Sequence, residues 1–233
     1  MNIGTSSPAT TRLSPRPRQS ERDTKRGLVV VAHPDDETLW AGGFILDHPR
    51  WQWHVTCLCR GTDADRAPRF ARALKRLGAK GTMGDLDDGP DQKLLPIEQV
   101  ERTVLSVLPA TTFDLLITHA LEGEYSRHRR HEETSRAVGR LWSRERISAA
   151  ELWMFAYTDR EGTRLPLAAR NADVRYRLSP ALWEAKYSII RDVYGFREES
   201  FEARTTPRVE AFWRFSSPSD YRARTEGKGA ALP

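Results

Sequence analysis

Residues 27–32 read GLVVVA and run directly into HPDDE. A short valine-dominated run with no polar alternation is the pattern of a strand covered on both faces, so the chain must build a sheet with layers on either side. The change at His33-Pro34 from apolar residues to an imidazole, a proline and three carboxylates marks the end of that strand as a place for chemistry.

The rest of the chain supplies the expected layers. Glu37 to Leu46 is apolar enough for a helix packed on the sheet, with Gly42-Gly43 permitting close backbone approach. WHVTCLC (53–59) reads as a second strand, and its two cysteines, Cys57 and Cys59, indicate neither a disulfide framework nor a zinc ribbon. Arg69 to Leu77 is a helix capped by Gly78, and a short strand is expected over 80–83. Ile97 to Leu108 has helical spacing and ends at Pro109, and FDLLIT (113–118) is a strand ending at His119. A helix over 129–142, a strand over 152–157 and a helix over 182–193 complete the pattern. Alternating strands and helices predict a Rossmann-like three-layer α/β/α fold with a mostly parallel sheet and right-handed crossovers. Ligands bind such sheets outside the carboxyl ends of the strands, which is where both His33 and the 119–131 segment fall.

At 233 residues, the chain has the size of one sizeable α/β domain. We expect a basic, disordered tail over 1–26, a folded domain over 27–215 and a flexible tail over 216–233. The first 26 residues carry six basic side chains against Glu21 and Asp23, so +4 of the net charge of +5 sits there and +1 remains for everything else. A Ser/Thr/Pro/Arg-rich segment of this kind is a solvated leader rather than a nucleic-acid arm, and no nucleic-acid partner is expected. No run approaches the ~18 apolar residues of a membrane helix, and the N-terminus lacks the apolar core of a secretory signal. The expectation is a soluble cytoplasmic protein of unassigned oligomeric state.

His33 in HPDDE, and His128 and His131 in SRHRRHEE, follow two different strand ends. An imidazole, a carboxylate and a second imidazole suit a zinc ion that keeps one position for water, and a second carboxylate beside it can take the water's proton. Asp35-Asp36 can supply both carboxylates, because neighbouring residues in a turn point in different directions.

AHPDDE joined to THALEGEYSRHRRH, within roughly 27–155, resembles the PIG-L/LmbE-like zinc-dependent N-acetylglucosaminyl deacetylases. The resemblance implies that His33, Asp36 and His131 hold zinc, that Asp35 is the general base, and that His128, protonated, polarises the carbonyl or protonates the leaving amine. It also implies that Tyr125 helps to hold the transition-state oxygen and that Arg66 and Asp88 contact the sugar. The activity implied is hydrolysis of an N-acetyl group from an N-acetylglucosamine-containing small molecule or glycoconjugate. Iron(II) or cobalt would also suit such ligands. Two alternatives stay open: a zinc amidase acting on a larger N-acyl amino-sugar conjugate, and a non-catalytic sugar-binding domain. Between the two histidines the family commonly has Pro-Asp, where this chain has Arg129-Arg130. That places a positive charge near His128 and leaves Glu124, Glu132 or Glu133 as substitute carboxylates.

Overall fold

A computed structural model describes residues 24–110, 112–125 and 128–226. Its central sheet has seven strands in the order β3-β2-β1-β4-β5-β9-β8. β1 (Arg26–Val31), β2 (Gln52–Cys59), β3 (Lys80–Leu86), β4 (Phe113–Thr118) and β5 (Ala149–Phe155) are mutually parallel. β9 (Val209–Phe215) returns antiparallel beside β5, and β8 (Val174–Arg177) forms the outer edge. A separate two-stranded ribbon pairs β6 (Tyr157–Thr158) with β7 (Leu167–Ala168).

Alternation along β1 divides the core. Val29 and Val31 face one layer, with α1 (Asp36–Asp47) and α2 (Arg66–Leu77), whereas Leu28 and Val30 face the other, with α3 (Ile97–Val107) and α4 (Arg129–Ser143). Cys57 and Cys59, two residues apart, would share a face of a regular strand; the register shift between them buries them in opposite layers instead. Every residue of β1 after Arg26 is buried, which is why its sequence has no polar alternation. α2 ends at Gly78, whose φ of 69° is the left-handed conformation that glycine adopts without strain.

The last third differs from the expected pattern. The helix expected over 182–193 is α5 (Pro180–Ser188) followed by a π-helical turn, Ile189–Val193. The wider turn buries Ile189 and Ile190 and brings the Tyr194 hydroxyl 2.6 Å from Glu37. β8, β9 and the short α6 (Phe201–Thr205) were not anticipated. The expectation of a flexible segment from 216 is corrected for its first part: α7 (Pro218–Glu226) buries Tyr221 against Trp142 and Phe215. Of the expected N-terminal tail, residues 1–23 lie outside the described residues, as do 227–233.

Candidate active site

β1 and β4 are neighbours whose chains leave to opposite sides of the sheet, so their carboxyl ends form the switch point of the topology. The turn after β1 is held in an unusual shape. Asp35 has φ 125°, a conformation that costs a non-glycine residue on the order of 1–3 kcal/mol. Three contacts fix it: the Asp35 N–H donates to Glu37 Oε2 (3.1 Å), and Arg66 Nη2 donates to the Pro34 carbonyl (2.8 Å) and to Asp35 Oδ2 (3.0 Å). Glu37 is itself fully buried and accepts from Thr38 (2.5 Å) and Tyr194 (2.6 Å).

Three donor atoms converge between the two strand ends. His33 Nδ1 lies 3.2 Å from His131 Nε2, and Asp36 Oδ2 lies 3.3 Å from each. The outer nitrogen of each imidazole is engaged by a carboxylate: His33 Nε2 by Asp88 (3.1 Å) and His131 Nδ1 by Glu124 (2.7 Å). With the outer nitrogens protonated, both inner nitrogens present lone pairs to the carboxylate oxygen. A tetrahedral zinc ion with bonds of about 2.0–2.1 Å separates its ligand atoms by about 3.3–3.4 Å. The donor set therefore fits such an ion in type and spacing, and carboxylates behind both histidines are the usual support for metal-binding imidazoles. His119, whose Nε2 lies 3.5 Å from Asp36 Oδ2, is excluded from the set: that nitrogen accepts from the Ala32 N–H (3.0 Å) and its Nδ1 pairs with Glu124 (3.0 Å).

The electrostatics agree with a site built for a cation. Burial opposes charge on His131, but Asp36 and Glu124 outweigh it and push the pKa up to about 10. Burial would raise Glu124, yet His119 and His131 draw it down to about 2. Asp36 is likewise held well below the carboxylate range against its burial, by His131 and His119. Asp35 goes the other way: burial and the neighbouring Asp36 charge push it well up, with Arg66 opposing.

His33, Asp35, Asp36, Arg66, Asp88, Tyr125 and His128 all border one cavity of about 270 Å³, with Phe201 and Glu202 closing a side. His131 lies behind it, fully buried. The geometry bears on three of the expected roles. Burial and the neighbouring His131 and His33 push the pKa of His128 down to about 3, which opposes a protonated imidazole there. Among the described residues its Nδ1 is buried without a hydrogen-bond partner, and Glu124 serves His131 and His119 instead. Asp88 has its oxygens committed to His33, Gln92 and Arg60, and Arg66 grips the Asp35 turn, so both border the cavity while supporting its other residues.

Arg130 does not disturb His128. Its buried guanidinium pairs with Glu133 and donates to the carbonyls of Asp87 (2.5 Å) and Lys93 (2.8 Å). Arg129 donates to the Gln92 carbonyl. The two arginines thus clamp the 87–93 segment, which carries Asp88 to His33. Glu37, Glu124, His119 and Tyr194 are the functional neighbours that sequence reasoning left without these roles. Nothing in the spacing of Glu124 or Tyr194 signals them, since each meets its partner through a loop or a π turn.

The GlcNAc-PI de-N-acetylase (PIG-L) family model matches residues 28–142, from β1 to the end of α4. That stretch, just under half of the chain, is similar to the PIG-L family. In sequence, the chain is 22% identical over 127 residues to the uncharacterized protein L374 of Acanthamoeba polyphaga mimivirus. That match takes in 48% of this chain and 55% of L374, so the chain spans about half the length of this curated relative. Among solved structures, the N,N'-diacetylchitobiose deacetylase of Pyrococcus horikoshii superposes with a TM-score of 0.63 at 16% identity, over 85% of this chain and 86% of that one. The teicoplanin deacetylase Orf2 in its zinc-inhibited form gives 0.59 at 16%, over 81% and 97%. GalB, the 4-carboxy-2-hydroxymuconate hydratase of Pseudomonas putida, gives 0.57 at 18%, over 82% and 96%. These likenesses establish the LmbE-like fold; because they include a hydratase, the chemistry must be argued from the site.

Proposed function

We propose that this protein is a PIG-L-like, metal-dependent hydrolase that removes the N-acetyl group from an N-acetylglucosamine-type substrate. The observation that carries the reading is the convergence of His33 Nδ1, Asp36 Oδ2 and His131 Nε2 beside a second carboxylate, Asp35, that faces the same cavity. His33, Asp36 and His131 would hold the ion. When bound, zinc supplies Lewis-acid polarisation and makes water easier to deprotonate.

The side chains do the remaining work. Asp35, whose raised pKa makes it a stronger base than an ordinary carboxylate, takes a proton from the attacking water. As the water oxygen bonds to the acetyl carbon, the carbonyl oxygen gains negative charge. Neutral His128 donates an N–H toward it, and Tyr125, whose raised pKa keeps its hydroxyl protonated, is a second donor. Asp35 then returns its proton to the departing nitrogen, the C–N bond breaks, and acetate and a free amine leave. Arg66 keeps Asp35 aimed at the water, and Asp88 and Glu124 fix the two imidazoles.

A cavity of about 270 Å³ is just below the ~300–1,000 Å³ usual for ligand pockets, which suits one sugar ring with a short acyl group and disfavours a long acyl chain. The test is free-amine release by zinc-loaded protein from N-acetyl, N-butyryl and N-octanoyl glucosamine derivatives. Turnover that falls steeply beyond acetyl is expected. Preference for the octanoyl compound would identify a long-chain amidase, and silence throughout with metal bound would leave a binding domain.

A further inference from the structure

The charged side chains that border the catalytic cavity are Asp35, Asp36, Arg60, Arg66, Asp88 and Glu202. Arg66 pairs with Asp35 (3.0 Å), Arg60 pairs with Asp88 (2.8 Å), and Asp36 faces His33 and His131 (3.3 Å each). Glu202 differs from all of them: among the described residues its carboxylate has no ion-pair or hydrogen-bond partner.

The short helix α6 holds Glu202 at this wall. Ser200 caps it, its Oγ accepting from the Ala203 N–H (3.2 Å), and Ala203 and Thr205 are buried beneath it. The Phe201 ring packs 4.8 Å from that of Tyr125, which itself borders the cavity, and Glu202 is partly buried beside it. The Glu202 charge reaches the Tyr125 hydroxyl, where burial and then the charges of Asp36, Glu124, Asp35 and Glu202 raise the pKa. Both residues lie beyond the stretch 28–142 that resembles the family, so that resemblance gives them no role.

The two side chains expected to hold the sugar are committed elsewhere, Arg66 to the Asp35 turn and Asp88 to His33, Gln92 and Arg60. The cavity therefore needs another group to recognise hydroxyls. An ionised carboxylate only accepts hydrogen bonds, at two oxygens, so it suits neighbouring sugar hydroxyls as donors. Hydrogen bonds to a charged acceptor are roughly twice as strong as neutral ones. With Arg66 set against Asp35 and Arg60 against Asp88, the Glu202 charge is also uncompensated by any neighbouring arginine, which favours donors and repels anions at this wall.

We infer that Glu202 is a substrate-binding residue whose carboxylate accepts hydrogen bonds from hydroxyls of the sugar ring. The inference deepens the deacetylase reading and rests on it for the identity of the sugar.

Calorimetry on zinc-loaded Asp35→Asn protein, which prevents turnover, tests it. The methyl glycoside of N-acetylglucosamine and its 3-deoxy, 4-deoxy and 6-deoxy analogues are titrated into this protein and into the same protein carrying Glu202→Ala. The substitution is expected to weaken binding of the parent glycoside by about 10–100-fold. For at least one deoxy analogue the penalty should shrink, because the missing hydroxyl and the missing carboxylate belong to one interaction. Glu202→Gln, which keeps the shape and one acceptor oxygen, should fall between the two. With Asp35 restored, the effect of Glu202→Ala should fall mainly on KM rather than on kcat, the mark of lost binding rather than of a damaged site. Equal affinity of the two proteins for the parent glycoside, no binding of that glycoside by either, or a penalty identical for every analogue overturns the assignment. The deacetylase reading fails separately: binding that depends on Glu202, with no free amine released by the wild-type protein, keeps the sugar contact and removes the hydrolase.

Discussion

Asp35 and Asp36 are adjacent in sequence and opposite in electrostatic fate. Two imidazoles draw Asp36 down, whereas burial and the charge of Asp36 push Asp35 up. That divergence suits the proposed division into a metal ligand and a base, and it was legible in the sequence because HPDDE places two carboxylates in one turn. The pH dependence of metal binding follows from His131. In the metal-free protein its pKa is pushed up to about 10, so at neutral pH a metal ion must displace a proton. The proton-bound form dominates below that value, so metal affinity should tighten by about tenfold per pH unit between pH 6 and 9. Competition titration with a chelator measures this, and an affinity flat across the range would contradict the assignment of His131. Glu124 was less legible: it reaches His131 and His119 from a loop, and no periodicity announces it. Glu124→Gln keeps the shape but removes the charge behind His131, and should weaken metal binding by about 10–100-fold, readable in the same titration.

At the scale of elements, Arg130 ties α4 to the 87–93 segment and so to Asp88. Arg130→Met leaves Glu133 buried without its partner and should cost about 3–5 kcal/mol in denaturant unfolding, with weaker metal binding as Asp88 loosens. Unchanged stability would show that the clamp is incidental. The packing of α1 is tested at Gly43, where an added Cβ would sit 2.4 Å from the Leu178 side chain. Gly43→Ala should destabilise by about 1–3 kcal/mol, although alanine is the better helix former. The parallel βα units were legible because each is a local signal: a valine-rich run, a helical period, a Gly78 cap. The π turn after α5 was not, since apolar spacing through Ile190 reads equally well as a continuous helix. Its consequence, Tyr194 held against Glu37, depends on residues 157 positions apart in the chain.

For the whole molecule, the sheet order explains why residues 98 positions apart, His33 and His131, share one site: β1 and β4 are adjacent at the switch point. Alternating strands and helices, with motifs after two strand ends, were enough to anticipate that juxtaposition. β9 and β8 escaped notice because antiparallel return strands carry no crossover helix to announce them. The C-terminal helix α7 is part of the fold, so truncation after Phe215 should lower the melting temperature by exposing Trp142 and Phe215; an unchanged melting curve would make α7 dispensable. Among the described residues no helix is long and apolar enough to cross a membrane. The central claim joins a metal held by His33, Asp36 and His131 to a base at Asp35. Its most direct test is free-amine release from N-acetylglucosamine derivatives by zinc-loaded protein and its Asp35→Asn variant, with metal content determined on the same samples. One metal per chain in both, and a loss of turnover on the order of 10²–10⁴-fold in the variant, is the predicted result. Equal turnover by the two proteins, or no metal bound by either, would contradict it.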